Sequence, residues 1–177
     1  MPELGRAALV AAFGLILYAA VVGAYAAWKG RRRLLDSATN ALYAAFAAVL
    51  VASLVLLGAL VANDFSLDYV ARMTSRALPL GYTLAAFWSG QEGSLLLWLL
   101  VLTGAASAAV ALNRRLVREV LPWTIAIVAG VAFFFAFLLV FIASPFATQT
   151  APVDGAGMNP SLQNPYMLAH PPLLYLG

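Results

Sequence analysis

His170 is the only histidine of the 177-residue chain, and it lies within the last twenty residues. The chain has no cysteine, and Asp154 is the only acidic residue in the stretch 143–177. A neutral imidazole is a common metal ligand, and it is the side chain best suited to move a proton near neutral pH. We therefore take His170 as the candidate site residue, either as a metal ligand or as a proton carrier.

The sequence around His170 predicts a stiff loop. Pro171 should keep His170 out of helical dihedral angles, and Pro172 should do the same to Pro171, so the imidazole is expected on an extended segment. Each Asn-Pro pair predicts a turn that its side-chain amide holds in shape. On the residues alone, a lone loop histidine is more often a hydrogen-bonding or surface residue than a ligand. The residues expected to support His170 are Asn159, Pro160, Gln163, Asn164, Pro165, Pro171 and Pro172.

A second candidate motif has an ionisable residue at the start of an apolar segment. Glu92 stands where a membrane helix is predicted to begin, and an ionisable residue at such a boundary suggests a function. Ser89 offers a simpler explanation, because Ser-x-x-Glu is a capping box and the helix dipole favours a carboxylate in the first turn. We favour the cap and keep the functional role open. The motif residues are Trp88, Gly90, Glu92 and Gly93.

The composition is that of a membrane protein. Hydrophobic residues make up 64% of the chain and charged residues 10%, and the mean hydropathy is +0.92. Apolar runs of about 20 residues, the length that crosses a hydrocarbon core, predict four transmembrane helices near residues 7–27, 40–62, 95–112 and 121–142. The predicted fold is an all-α, polytopic membrane helix bundle over residues 1–142, followed by an outward loop over residues 143–177.

The basic residues predict the orientation of this bundle. Lys29 and the arginines at 31–33 follow the first helix, and Arg114, Arg115 and Arg118 follow the third. An excess of positive charge in two alternate connections places both in the cytoplasm, so both termini and the second connection should face outward. These clusters lie beside helix ends and form no basic face on a folded module, which argues against nucleic acid as a partner.

The second connection, residues 63–92, predicts a short amphipathic helix on the membrane surface. Asp68 and Arg72 are spaced four apart, as a helical ion pair requires, and Pro79 ends the pattern. The residues on its apolar face are Phe65, Tyr69, Met73 and Ala77. The tail after residue 142 has too few apolar side chains for a core of its own, so we expect it to lean on the membrane or on another chain.

Three stretches of this sequence resemble the CcmF family of bacterial cytochrome c maturation. They are Asn63–Ala71, Trp88–Trp98 with its Gly-Gln-Glu-Gly-Ser-Leu-Leu-Leu-Trp run, and Asn159–Gly177 with Ala-His-Pro-Pro. Their order and predicted topology match the family, and the last motif is specific. The family's His-Pro-Pro histidine is an outward axial ligand of haem iron, and His170 occupies that position.

The resemblance implies a haem lyase function at the outer membrane face. Haem would be held there while cysteine thiols of an apocytochrome c add to its vinyl groups and form thioethers. The implied partners are a haem chaperone, other cytochrome c maturation subunits and the apocytochrome, in the bacterial inner membrane. The family's second outward histidine and its tryptophan-rich segment are absent from these 177 residues. We therefore assign no catalytic residue to this chain and expect it to be inactive alone.

Two other functions stay open at this point. Haem lyases of the nitrite reductase type share these motifs and are not separated from CcmF by them. In a different class, the chain would be a small membrane transport or assembly subunit without haem, with Glu92 and His170 as gate or contact residues. Haem absorbance of the purified protein distinguishes the two classes.

The predicted orientation can be tested with topology reporters. A reporter that is active only outside the cytoplasm should be active when fused after Gly177 and silent when fused after Arg33, because the basic clusters hold their connections inside. Measuring reporter activity at equal expression tests this. The opposite pattern would place His170 in the wrong compartment for cytochrome c assembly.

Overall fold

The computed structural model describes residues 2–113 and 120–176. Apart from one isolated antiparallel bridge, the regular structure in these two ranges is helical, as predicted. The helices are α1 (Pro2–Lys29), α2 (Arg32–Val61), α3 (Asp68–Met73), α4 (Leu80–Ser89), α5 (Gln91–Asn113), α6 (Leu121–Phe141) and α7 (Pro165–Leu176), and a 3-10 turn spans Pro160–Leu162.

Four of the helices, α1, α2, α5 and α6, are long and apolar enough to cross a membrane. They confirm the four predicted spans. In the bundle, α1 packs on α2 and α6, and α5 packs on the same two helices. Both α1 and α2 begin earlier than predicted, at Pro2 and Arg32, because arginine is a good helix former and the charged residues beside the apolar runs continue the helices.

One end of the bundle gathers the start of α1, the second connection and the tail. An added Cβ at Gly5 would overlap the ring of Phe146, so the tail lies directly against the first turns of α1. Leu67 in the connection forms the antiparallel bridge with Thr148 in the tail. This grouping agrees with the predicted topology, while the side of the membrane that this end faces stays a prediction. Arg114, Arg115 and Arg118, on which the orientation partly depends, lie outside the described residues.

The second connection contains two short helices, and only the first was predicted. Phe65 and Tyr69 on the apolar face of the predicted helix are covered by protein, at 4% and 1% exposed, while the side chains of Asp68 and Arg72 on its polar side remain partly exposed. Pro79 was taken as a stop, but it also stands directly before α4. Its fixed φ suits the entry to a helix, and it lacks only an N–H that the first turn would leave unpaired.

The tail packs in part against this connection, whereas the sequence predicted support from the membrane or another chain. Asp68 N donates to Ala147 O and Gln149 N donates to Ser66 O, each at 2.9 Å. Phe146 and Met158 in the tail are buried. Backbone groups of an extended segment need partners when they are buried, and the connection supplies them.

The segment that carries His170 is a helix, which corrects the prediction of an extended loop. Proline's φ near −65° is compatible with a helix, and the bias against a helical residue before proline is a preference that packing can override. Pro165 occupies the first position of α7, where proline is favoured. Pro171 and Pro172 lie inside the helix and each removes one backbone hydrogen bond. α7 contacts α4 and α5, so tertiary packing supports it in place of those bonds.

Candidate functional site

His170 lies on the exposed face of α7. Positions three and four apart share one face of a helix. Tyr166 and Leu173 stand one turn before and after His170 and are 83% and 64% exposed. The half-buried residues Leu168, Pro171 and Pro172 form the opposite face. The imidazole is thus the one side chain able to ligate a metal on an exposed, otherwise apolar helix surface.

The predicted supporting residues hold the turns that lead into α7. Asn159 Oδ1 accepts a hydrogen bond from Ser161 N at 3.0 Å and precedes the turn at Pro160. Asn164 Oδ1 accepts from Tyr166 N at 3.0 Å, so Asn164 satisfies one free N–H at the start of the helix. Gln163 Nε2 donates to Met158 O at 2.9 Å.

An aspartate also anchors the tail to the second connection. Asp154 Oδ1 accepts from Arg76 N at 2.9 Å and from Gly155 N at 2.7 Å. These backbone donors lower the pKa of the Asp154 carboxyl. Because the folded-state pKa is lowered, this anchor is complete above the ordinary aspartate pKa and weakens as the pH falls through the folded value.

The second candidate motif forms the α4–α5 corner, residues 86–94, and this corner closes around Tyr69. The phenol donates to Ala86 O at 2.7 Å and accepts from Gly90 N at 3.2 Å. Ser94 Oγ donates to Trp88 O at 2.7 Å across the same corner. Burial raises the pKa of Tyr69 well above its ordinary value near 10, so the phenol remains a donor at physiological pH.

The two glycines of the motif are explained by this phenol. A Cβ at Gly90 would lie 2.7 Å from Tyr69 Cε2, and a Cβ at Gly93 would overlap both the Phe87 carbonyl oxygen and the Tyr69 hydroxyl. Neither glycine has a positive φ. The requirement at both positions is therefore space and not backbone conformation.

Glu92 pairs with Arg72, and the capping-box interpretation is wrong. Ser89 is the last residue of α4, and its hydroxyl donates to Ala86 O at 3.3 Å. Glu92 Oε1 instead accepts from Arg72 Nη2 at 2.7 Å, and Arg72 Nε also pairs with Asp68 Oδ2 at 2.9 Å, as its spacing predicted. Glu92 is still in the first turn of α5, where the helix dipole favours a carboxylate.

The two candidate motifs lie at the same end of the bundle, linked through helix packing. α7 contacts both α4 and α5, and Tyr82 in α4 donates its hydroxyl to Gln163 O at 3.2 Å. Within residues 2–113 and 120–176, no group of three or more His, Asp or Glu side chains is placed to hold a metal ion. The hydroxyls of Tyr69 and Tyr82 were not predicted to have a role, because in an apolar pattern tyrosine counts only as a ring.

Comparison with known proteins gives one consistent result, although no family model matches the chain. It is 36% identical over 179 residues to the cytochrome c-type biogenesis protein CcmF of Escherichia coli K12 and 32% identical over 178 residues to NrfE of Haemophilus influenzae. Each alignment covers 100% of this chain and 28% of the relative. A solved structure of a cytochrome c heme lyase CcmF matches with a TM-score of 0.83 and 32% identity, over 99% of this chain and 27% of that one.

The chain corresponds to the N-terminal portion of the CcmF family. It spans a little over a quarter of the length of the CcmF and NrfE relatives it matches. The similarity extends along the whole chain, so the bundle, the α4–α5 corner and α7 all fall within the part that CcmF proteins share with it. The match to NrfE shows that NrfE-type relatives share this similarity.

Gly93→Ala tests the close approach of Tyr69 to the corner. The added methyl group overlaps a backbone oxygen, which must shift, so we expect a loss of about 1–3 kcal/mol in stability. Gly81→Ala in α4 is the matched control, because apart from its own helix backbone and chain neighbours no described atom lies within 4 Å of its added Cβ. Thermal denaturation of the two purified variants in detergent should show a lower midpoint for Gly93→Ala only. Equal midpoints would contradict the packing described.

Glu92→Gln tests whether the carboxylate is structural. The ion pair is partly exposed and Arg72 keeps Asp68 as a partner, so we expect a loss of about 1 kcal/mol or less. Cytochrome c yield should then fall only slightly when the variant is assayed in a full-length CcmF-family protein with this chain as its N-terminal portion. Near-complete loss of yield at normal membrane abundance would instead assign a functional role to the carboxylate.

Proposed function

We propose that this chain forms part of a membrane haem lyase in cytochrome c biogenesis, and that His170 is an axial ligand of haem iron at the outer membrane face. The observation that carries the proposal is the placement of the chain's only imidazole on the exposed face of α7. The similarity to CcmF proteins along the whole chain supports it.

The residues present fit haem better than a bare metal ion. A bare ion needs several protein ligands, and the described residues offer no cluster of three. Haem iron already has four porphyrin nitrogens, so a single imidazole suffices for one axial bond. Tyr166 and Leu173 place apolar surface one turn to either side of His170, which suits the face of a porphyrin.

Bound haem would supply the vinyl groups that take part in thioether formation. The thiols would come from an apocytochrome c, since this chain has no cysteine. The contribution of this chain is then to hold and orient, with His170 Nδ1 or Nε2 as the donor atom. The second axial imidazole would come from outside these residues, because the chain has no other histidine.

The proposed setting is the bacterial inner membrane, with the α7 end of the bundle facing outward. The partners would be a haem chaperone, other cytochrome c maturation subunits and the apocytochrome. A lyase for a nitrite-reductase-type cytochrome is the second candidate, and the 32% identity to NrfE favours keeping it. Assaying maturation of each cytochrome class in a strain that lacks its own lyase distinguishes the two.

His170→Ala tests the ligand role, again in a full-length CcmF-family protein that carries this chain. The four membrane helices should still insert, because one exposed side chain contributes little to insertion. The outer-site haem spectrum should change and holocytochrome c should fall sharply. Added imidazole should restore part of the yield by filling the vacated axial position.

Val153→Ala is the control, since Val153 is a tail residue that is 92% exposed and lies outside α7. It should leave the haem spectrum and the yield unchanged. The ligand role is wrong if His170→Ala protein at normal abundance keeps its haem spectrum and matures cytochrome c at the wild-type rate.

A further inference from the structure

We propose that Tyr69 is a positioning residue for His170, acting through the α4–α5 corner on which α7 rests. This inference depends on the proposed function, in which His170 ligates haem iron. It assigns a second residue to that site, one that does not itself touch the haem. Three features of the structure carry it: the corner itself, the contact of the corner with α7, and the contact of α3 with the tail.

The first feature is that the Tyr69 hydroxyl closes the corner. It joins the last turn of α4, through Ala86 O, to the start of α5, through Gly90 N. Tyr69 is 1% exposed, and Ala86 and Gly90 are buried as well, so water has no access to replace these bonds. The lack of room at Gly93 shows that the phenol fits against the corner without space for displacement.

The second feature is that the corner's two helices carry α7. α7 contacts both α4 and α5. Leu162 and Leu168, on either side of the entry to α7, pack against the core cluster that contains Phe87. Tyr82 ties α4 to Gln163 O, two residues before α7 begins. A change in the angle between α4 and α5 therefore changes the surface that supports His170.

The third feature is that α3 also holds the tail on its other side. Ala156 N donates to Ala71 O at 2.7 Å and Gly157 N donates to Thr74 O at 3.1 Å. A Cβ at Gly155 would overlap Thr74 O, so the two backbones are in close contact. The short segment around Tyr69 thus holds the middle of the tail and also closes the corner on which α7 rests.

The test is a double-mutant cycle in the full-length protein, with Tyr69→Phe and His170→Ala. Tyr69→Phe keeps the ring and removes only the hydroxyl, so buried Gly90 N loses its phenol acceptor and Ala86 O keeps the longer bond from Ser89 Oγ. We expect about tenfold weaker axial ligation by His170, seen as an altered outer-site haem spectrum and a yield that added imidazole partly restores. Thr83→Val in α4 is the control. It also removes a hydroxyl, but one that donates to the nearby carbonyls of Leu78 and Pro79.

The cycle separates positioning from a general loss of stability. If Tyr69 acts through His170, Tyr69→Phe has no further effect on yield per molecule in the His170→Ala background, because the interaction it supports is already gone. An equal fold-loss in both backgrounds overturns the proposal, as does an unchanged haem spectrum in Tyr69→Phe. If His170→Ala itself has no effect, the proposed function fails, and this inference fails with it.

A second variant keeps the proposal testable if Tyr69→Phe does not accumulate in the membrane. Tyr82→Phe removes the hydrogen bond to Gln163 O at the other end of the same route, in a more exposed place. It should also alter the outer-site haem spectrum, by a smaller factor, and only while His170 is present. An unchanged spectrum in that variant overturns the route from the corner to α7.

Discussion

The buried hydroxyl of Tyr69 is the constraint on which the structure of the bundle end that carries both candidate motifs depends. An unpaired polar atom in such a place costs about 1–3 kcal/mol, so the chain must bring partners to it. It does so by ending α4 and starting α5 within reach of the phenol and by keeping glycine at positions 90 and 93. The Arg72–Glu92 pair lies beside this contact and adds a partly exposed electrostatic tie between α3 and α5.

The tail depends on the same short segment. Without its own core, it gains order by pairing its backbone with residues 66–74 and by burying Phe146 and Met158. The result is a helix with two internal prolines, which would be unstable in isolation, held against α4 and α5. His170 is thus carried by an element whose order comes from tertiary packing and not from its own helix propensity.

Much of this fold is predictable from the sequence because the strongest signals are long. An apolar run of about 20 residues leaves one outcome in a membrane protein, and all four spans are found. The ion pair of Asp68 with Arg72 was also predictable, since spacing four on a helix determines it.

The short elements were predicted less well, and each failure has a physical cause. Pro79 can end a pattern or begin a helix, and only the packing of α4 decides between them. Ser89 and Glu92 have capping-box spacing, but Gly90 separates two helices there, so the serine belongs to the preceding one. α7 depends on contacts far away in sequence. The role of the Tyr69 hydroxyl depends on carbonyls 17 and 18 residues later, which no local pattern contains.

The most direct test of this account is a disulfide across the one bridge between the connection and the tail. Leu67 and Thr148 face each other as a non-hydrogen-bonded antiparallel pair, flanked by the bonds from Asp68 N and Gln149 N, and such pairs bring Cα atoms within disulfide range. The chain has no other cysteine to compete. In a full-length CcmF-family protein that carries this chain, we expect Leu67→Cys with Thr148→Cys to form a disulfide in membranes in high yield, and we expect the cross-linked protein to mature cytochrome c. Two free thiols in an abundant, inserted protein, or a locked tail that abolishes maturation while the reduced form supports it, would contradict the account.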